Sequence, residues 1–285
     1  MDTNLKAIAE LFGGVTEEPE SQAPPSKLGE TAEESDQLGR LSLEAGKYAE
    51  AIAHFKRAVE QRDPTDVASR IELAAAFETS DQFPQAYRQY EKALKVQGNV
   101  TDARVGLSDL LKRYGKFSES IQQLQVALES DPQNAGLNFK LAETLLEAGY
   151  SKRALPFGIQ AIVLQPDNAY FHFWVGDLQT KLGHYEEALQ SLRAAVELSP
   201  GDDFYYLRCV IPFWKLGMKT EAIKAARLAS DLNPERNLYY GLLEELLLAN
   251  DQIEEAKLEI DRAQKMDPYD QDTLDRLIIE LGLDE

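Results

Sequence analysis

Apolar and small residues recur along this chain in the pattern of a repeated pair of helices. In FHFWVGDLQTKLGHYEEALQSLRAAVELSP, apolar side chains fall three and four residues apart on both sides of Gly183. This spacing predicts one helix that ends near Lys181 and a second that ends before Pro200. Each helix is too short to be stable alone in water, so neighbouring pairs must share a core.

The pattern returns every 34 residues over most of the chain. Proline marks the period at Pro132, Pro166, Pro200, Pro234 and Pro268. Small residues hold two further positions, and the second of them is always alanine, at Ala58, Ala93, Ala127, Ala161, Ala195, Ala229 and Ala263. Small residues seven positions apart lie on one helix face, where they let a second helix approach closely.

The pattern resembles that of the tetratricopeptide-repeat family. The family's Leu-Gly, aromatic, Gly-x-Tyr, Ala, Phe, Ala-Leu and Pro positions are well kept in QLGRLSLEAGKYAEAIAHFKRAVEQRDP and in VGDLQTKLGHYEEALQSLRAAVELSP. Seven repeats fit residues 32–270, and residues 271–285 predict a C-terminal capping helix. The resemblance implies an all-α solenoid, a right-handed superhelix whose first helices line a concave groove. A pentatricopeptide-type RNA reader has a similar period, but the Gly-x-Tyr and Pro positions argue against it.

Charge and composition narrow the partners and the compartment. The net charge of the 285-residue chain is -19, which disfavours nucleic acid as a partner. No stretch approaches the roughly 18 apolar residues of a membrane span, and the start of the chain lacks the pattern of a signal peptide. With one cysteine in the chain, we expect a cytoplasmic protein.

The titratable residues predict no enzyme, no cofactor and no metal site. His54, His172 and His184 fall at unrelated repeat positions without metal-ligand spacing. By family position, His172 is expected to pack in the core and Cys209 to be a buried, inert thiol. His184 follows a turn glycine and is expected to be exposed.

The N-terminal residues predict a docking motif on a tether. Residues 1–14 fit a short amphipathic helix, and residues 15–31 read as a flexible acidic linker rich in Pro, Ser and Glu. The apolar side of the helix would carry the docking residues Leu5, Ile8, Leu11 and Phe12. The alternatives are that this segment packs on the first repeat or stays frayed.

If the family geometry holds, positions 2, 5, 9 and 12 of each repeat face the groove. The candidate peptide-binding residues are Phe139, Glu143, Tyr170, Phe173, Trp174, Asp177, Phe204, Leu207, Trp214 and Glu245, with Trp174 at the groove edge. Phe139 and Leu207 can also be explained as contacts between first helices. Aromatic residues bordered by acids suggest a partner segment that is apolar and flanked by basic residues.

Chaperone-binding members of the family hold a C-terminal carboxylate with a Lys/Asn/Lys/Arg clamp. The corresponding early positions here include Asp36, Arg40, Ile71, Asp102 and Val105. The clamp is not matched, so acidic chaperone tails are disfavoured as partners.

Three residues break the repeat pattern in the middle of the chain. Pro156 and Pro212 fall inside predicted helices, which they should kink or loosen. Gly158 occupies a position where the family places an aromatic residue. Our hypothesis is that the kink and the resulting hole accommodate the crowded aromatic residues 171–174.

The function predicted is a non-catalytic scaffold that binds a peptide segment of another protein in its groove. The alternative is a self-assembling or autoinhibited protein whose N-terminal helix docks in its own or a neighbour's groove. A further possibility is an accessory subunit that positions an enzyme's substrate.

Overall fold

The chain is a succession of short α-helices. The computed structural model describes residues 30–263 and 271–283, and this part of the chain contains helices but no strand. The helices are α1 Ala32–Glu44, α2 Tyr48–Gln61, α3 Ala68–Thr79, α4 Phe83–Val96, α5 Thr101–Arg113, α6 Phe117–Ser130, α7 Ala135–Glu147, α8 Ser151–Leu164, α9 Ala169–Lys181, α10 Tyr185–Leu198, α11 Asp203–Lys215, α12 Lys219–Leu232, α13 Leu238–Leu248, α14 Ile253–Ala263 and α15 Gln271–Leu281. Odd-numbered helices from α1 to α13 are the first helices of seven pairs, and each begins within one residue of its predicted start. The predicted all-α repeat fold is confirmed.

Two compact units divide the chain, one ending at Ala148 and one beginning at Gly149. Within each unit, the two helices of a pair pack together, and each second helix packs on the first helix of the next pair. The apolar core follows these contacts. Fully buried side chains include Phe55 and Leu107 in the N-terminal unit and Leu192 and Leu242 in the C-terminal unit.

A left-handed residue connects the two helices of most pairs. Gly183 has φ +79°, and the amide of the next residue donates to the Gln179 carbonyl at 2.9 Å, which closes the end of α9. In the second and seventh repeats this position holds Asp81 and Asp251, both with φ +59°. Aspartate tolerates this conformation better than most residues, so the turn survives the loss of glycine.

The first described residues anchor the start of the repeats. Thr31 and Glu34 form a reciprocal capping box at the beginning of α1. Glu30 lies against α2, where its carboxylate meets Arg57 at 3.3 Å and His54 at 3.4 Å. The predicted docking helix of residues 1–14 and the linker up to residue 29 lie outside the described residues.

Gly158 of α8 lies against the aromatic residues of the next repeat. A Cβ atom at Gly158 would be 2.9 Å from Cζ3 of Trp174 and 2.9 Å from Cγ2 of Val175. The part of the hypothesis that concerns the hole at Gly158 is confirmed for one of the four residues, Trp174, whose ring fills it. Both α8 and α11 continue as helices through Pro156 and Pro212.

Asp81 and Asp251, in the turns between helices, should make the protein less stable than glycine would at the same positions. We expect Asp81→Gly to raise the free energy of unfolding by about 0.5–1 kcal/mol, because glycine adopts positive φ without a steric cost. The converse change, Gly183→Ala, should lower it by about 1–2 kcal/mol. Urea unfolding followed by circular dichroism measures both, and a loss of stability in Asp81→Gly would contradict the argument.

The contact at Gly158 should tolerate no added methyl group. We expect Gly158→Ala to destabilise the protein by about 1–3 kcal/mol, because the rigid indole of Trp174 must move. Gly201→Ala is the matched control, since a Cβ atom there meets nothing within 4 Å. Equal unfolding midpoints for the two variants would show that the indole moves at no cost.

Candidate functional site

Four aromatic rings form a continuous group on the first helices of the fifth and sixth repeats. The ring of Phe173 on α9 lies at the centre, 5.8 Å from Tyr170, 5.5 Å from Phe204 and 5.2 Å from Tyr205 between ring centroids. The contact with Tyr205 is stacked, whereas the other two are tilted. We call these four residues the aromatic cluster.

The aromatic cluster is graded from buried to exposed. Tyr205 is buried, and burial raises the pKa of its hydroxyl. Phe173 and Phe204 are half-buried. Tyr170 is 47% exposed, although it stands three residues before Phe173 on the same side of α9. A rigid, supported ring that remains open to solvent is a suitable anchor for a bound chain.

A charged cleft lies beside the aromatic cluster in the same unit. Its volume is about 270 Å³, and it is lined by Asp177, Thr180, Lys181, Tyr185, Arg208, Ile211 and Glu280. The Asp177 carboxylate meets the Lys181 ammonium at 2.8 Å and Nε of Arg208 at 3.3 Å. The Arg208 guanidinium also lies 4.9 Å from the ring centroid of Phe204, which links the cleft to the aromatic cluster.

The ion pair between Asp177 and Arg208 belongs to a repeated arrangement. Position 9 of one repeat meets position 6 of the next in three places: Arg40 with Glu72 at 3.2 Å, Asp109 with Lys140 at 2.8 Å, and Asp177 with Arg208 at 3.3 Å. Asp109 and Asp177 therefore have cationic partners within the chain, which reduces their attraction for a basic partner segment.

Three of the predicted groove residues are core residues. Leu207 and Phe139 are buried, as the alternative explanation for both residues anticipated. Trp174 is buried as well, and its indole packs on Gly158 of the preceding second helix. The placement of Trp174 at the groove edge is wrong because its ring fills the hole at Gly158.

The remaining predicted residues are divided between the two units. Trp214 and Glu245 are half-buried in the C-terminal unit, and the Lys219 ammonium lies 5.0 Å from the Trp214 ring. Glu143 belongs to the N-terminal unit together with Phe139. Burial raises the pKa of the Glu143 carboxyl, an effect that Lys112 and Lys140 oppose.

The N-terminal unit has its own cavity of about 620 Å³. It is lined by Thr65, Asp66, Val67, Ala68, Ile71, Glu72, Ala75, Gln97, Val100 and Asp102. Ala68, Ile71 and Ala75 are at positions 2, 5 and 9 of the second repeat, the positions that the resemblance assigns to the groove. None of the described residues that line this cavity is aromatic, in contrast to the exposed ring of Tyr170 in the C-terminal unit.

Cys209, His172 and His184 are the residues that were considered for catalysis or metal binding. Cys209 is buried as predicted, and burial raises the pKa of its thiol to about 12, which disfavours the nucleophilic thiolate. Nε2 of the half-buried His172 lies 2.9 Å from the Pro166 carbonyl oxygen, and His184 is exposed as predicted. Among the described residues, no group of His, Cys, Asp and Glu could hold a metal ion. No helix in the same ranges is long and apolar enough to cross a membrane.

Tyr205 and Arg208 are residues of the candidate site that the sequence did not reveal. Both fall at positions outside the set that the resemblance assigns to the groove. In three pairs of successive repeats, opposite charges occupy position 9 of the first repeat and position 6 of the second. This charge pattern could have revealed Arg208. Nothing in the period distinguishes the Tyr205 ring.

Comparisons with known proteins agree on one family. Models of the tetratricopeptide repeat match residues 42–105 and 139–203. A curated relative, Hsp70-Hsp90 organizing protein 3 of Arabidopsis thaliana, is 29% identical over 106 residues, which are 36% of this chain. The matched region spans 18% of that relative's length.

Solved structures share the fold at low sequence identity. YrrB, described as a tetratricopeptide-repeat protein with an unusual peptide-binding site, has 21% identity and a TM-score of 0.58 over 70% of this chain and 97% of its own. A tetratricopeptide-repeat protein of Parabacteroides merdae has 15% identity and a TM-score of 0.59 over 89% of this chain and 100% of its own. PilF of Pseudomonas aeruginosa has 19% identity and a TM-score of 0.59 over 71% and 92% of the two chains.

Proteins with these repeats act in general as scaffolds for other proteins rather than as catalysts. The 34-residue period, the helix pairs and the two matched segments together identify tetratricopeptide repeats in this chain, and the solved structures share their fold.

Proposed function

We propose that the C-terminal unit binds a peptide segment of another protein on its first helices, at the aromatic cluster and the charged cleft. The observation that carries the proposal is the 47% exposure of Tyr170 beside three packed aromatic rings. A tyrosine that is already held in place loses little side-chain entropy when a partner covers it. The peptide-binding site named for YrrB supports the same use of this fold.

The partner segment is apolar where it meets the aromatic cluster and polar where it meets the charged cleft. Asp177 is compensated by Lys181 and Arg208, so the cleft presents both signs of charge. An apolar segment with one or two charged side chains satisfies this surface better than a strongly basic one.

Acidic chaperone tails are not the proposed ligand, although the curated relative is named as an organizing protein of Hsp70 and Hsp90. At the first of the clamp positions this chain has Asp36, which is buried. Its carboxylate accepts from Arg62 at 2.7 Å and from the Ser69 hydroxyl at 3.1 Å. A buried carboxylate that is already paired with Arg62 cannot supply the positive charge with which a clamp holds a terminal carboxylate.

The test begins with proteins that co-purify with the full chain and continues with calorimetry on the isolated partner. We expect Tyr170→Ala and Phe173→Ala each to weaken binding at least tenfold, because truncation of an interface anchor typically costs about 2 kcal/mol or more. Trp214→Ala tests the far end of the same row of helices.

Tyr150→Ala is the matched control, because Tyr150 is 45% exposed but caps the second helix α8. The affinity of this variant for the partner should equal that of the wild type. Unchanged affinity in Tyr170→Ala, Phe173→Ala and Trp214→Ala would refute the proposed site.

A further inference from the structure

The C-terminal helix α15 lies across the first helices instead of simply following the last pair. It packs on α13 of the seventh repeat and on α11 of the sixth. Its Glu280 lines the charged cleft together with Asp177 and Lys181 of α9, which belongs to the fifth repeat. A helix that only continued the stack would meet the seventh repeat and would not reach a cleft formed by the fifth.

One side of α15 is embedded in the core of the C-terminal unit. Leu274, Leu277 and Leu281 are 3%, 7% and 3% exposed and belong to the same apolar cluster as Ile211 and Leu246. The three leucines are spaced i, i+3 and i+7, so they form one stripe along the helix. Ile211 is at position 9 of the sixth repeat, a groove position by the resemblance.

The opposite side of α15 faces solvent. Ile279 is 61% exposed, and Asp275 and Arg276 are exposed as well. The polar edge is complementary to its surroundings, because Glu280 faces a cleft that contains Lys181 and Arg208. The chain thus places an amphipathic helix, with a leucine stripe and an acidic edge, on the row of helices that carries the proposed peptide site.

We propose that α15 is a built-in occupant of this surface and that the partner is itself an amphipathic helix that competes with α15. The partner helix would carry large aliphatic residues at i, i+3 and i+7 and an acidic residue directed toward Lys181 and Arg208. This inference rests on the proposed function, and it specifies the partner as a helix in a groove rather than an extended strand.

The length of α15 makes displacement feasible. The helix spans 11 residues, fewer than an isolated helix needs to be stable in water. It is therefore held by its three leucines and its packing on α11 and α13, and it can open locally while the repeats stay folded. A competitor with the same stripe gains the contacts that α15 gives up.

The test uses the full chain and a fluorescein-labelled synthetic peptide of residues 271–285 as the probe. In wild type, α15 occupies the surface, so the labelled peptide should bind weakly in fluorescence anisotropy. In the full-length variant Leu277→Asp, a carboxylate in the apolar stripe releases α15, and we expect the peptide to bind at least tenfold more tightly.

Ile279→Asp is the matched control, since it adds the same charge on the exposed side of α15. It should bind the peptide as weakly as wild type does. A peptide with aspartate in place of both Leu277 and Leu281 should bind none of the three proteins. Equal affinity of the labelled peptide for wild type and Leu277→Asp would overturn the proposal, and so would absence of binding to Leu277→Asp.

Circular dichroism checks that each variant is still folded. If Leu277→Asp loses more helix than the 11 residues of α15, Leu281→Asp replaces it, because its site lies in the last turn. A variant that keeps the repeats folded but fails to bind the peptide shows that α15 is a cap only. The partner assay separates the two proposals: a partner weakened by Tyr170→Ala but unaffected by Leu277→Asp supports the peptide site and overturns the competition.

Discussion

Close approach of paired helices at small residues is the constraint on which the structure depends. Ala51, Ala154 and Ala188 on the second helices are completely buried, as are Ala58 and Ala195 seven residues further along their helices. Side chains of this size let helix backbones come close enough for each apolar stripe to be covered by its neighbour. A helix too short to persist alone becomes stable only in that arrangement, so the order of the alanines determines where every first helix stands.

A second constraint orients the first helices, and the sequence conceals it. In five successive repeats, the side chain at one position reaches back six residues to the carbonyl oxygen that begins the preceding loop. The contacts are Arg104 to Gly98 at 2.6 Å, Asn138 to Pro132 at 3.3 Å, His172 to Pro166 at 2.9 Å, Tyr206 to Pro200 at 3.2 Å and Tyr240 to Pro234 at 3.1 Å. Four residue types make the same bond, so no residue pattern reveals it. The bond also explains why a histidine can replace a tyrosine or an asparagine here without any catalytic role.

The predictable part of the fold is the part that every repeat shares. The helix starts followed from the period, because each depends on apolar spacing and on a turn within a few residues. The surroundings of the residues that depart from the period could be described only from the structure. Ser120 stands where other repeats have alanine, and its hydroxyl lies 2.8 Å from that of Ser108, so two polar groups satisfy each other inside the core. The assignment of Trp174 to the groove edge failed because Gly158 also departs from the period. The burial of the Trp174 ring depends on the absence of a side chain at Gly158.

The site was less predictable than the fold because a binding surface is made by differences between repeats. Tyr170 and Trp174 are four residues apart on α9, yet one ring is half exposed and the other is buried against α8. The period predicted the row of first helices but not how deeply each aromatic ring is buried. It also could not supply the place of α15, whose leucine stripe fits any apolar face that lacks a cover. The contacts of α15 with α11 and α13, together with Glu280 in the charged cleft, identify that face as the one beside the aromatic cluster. A surface that already holds an amphipathic helix and keeps Tyr170 open beside it has the shape and chemistry to receive another.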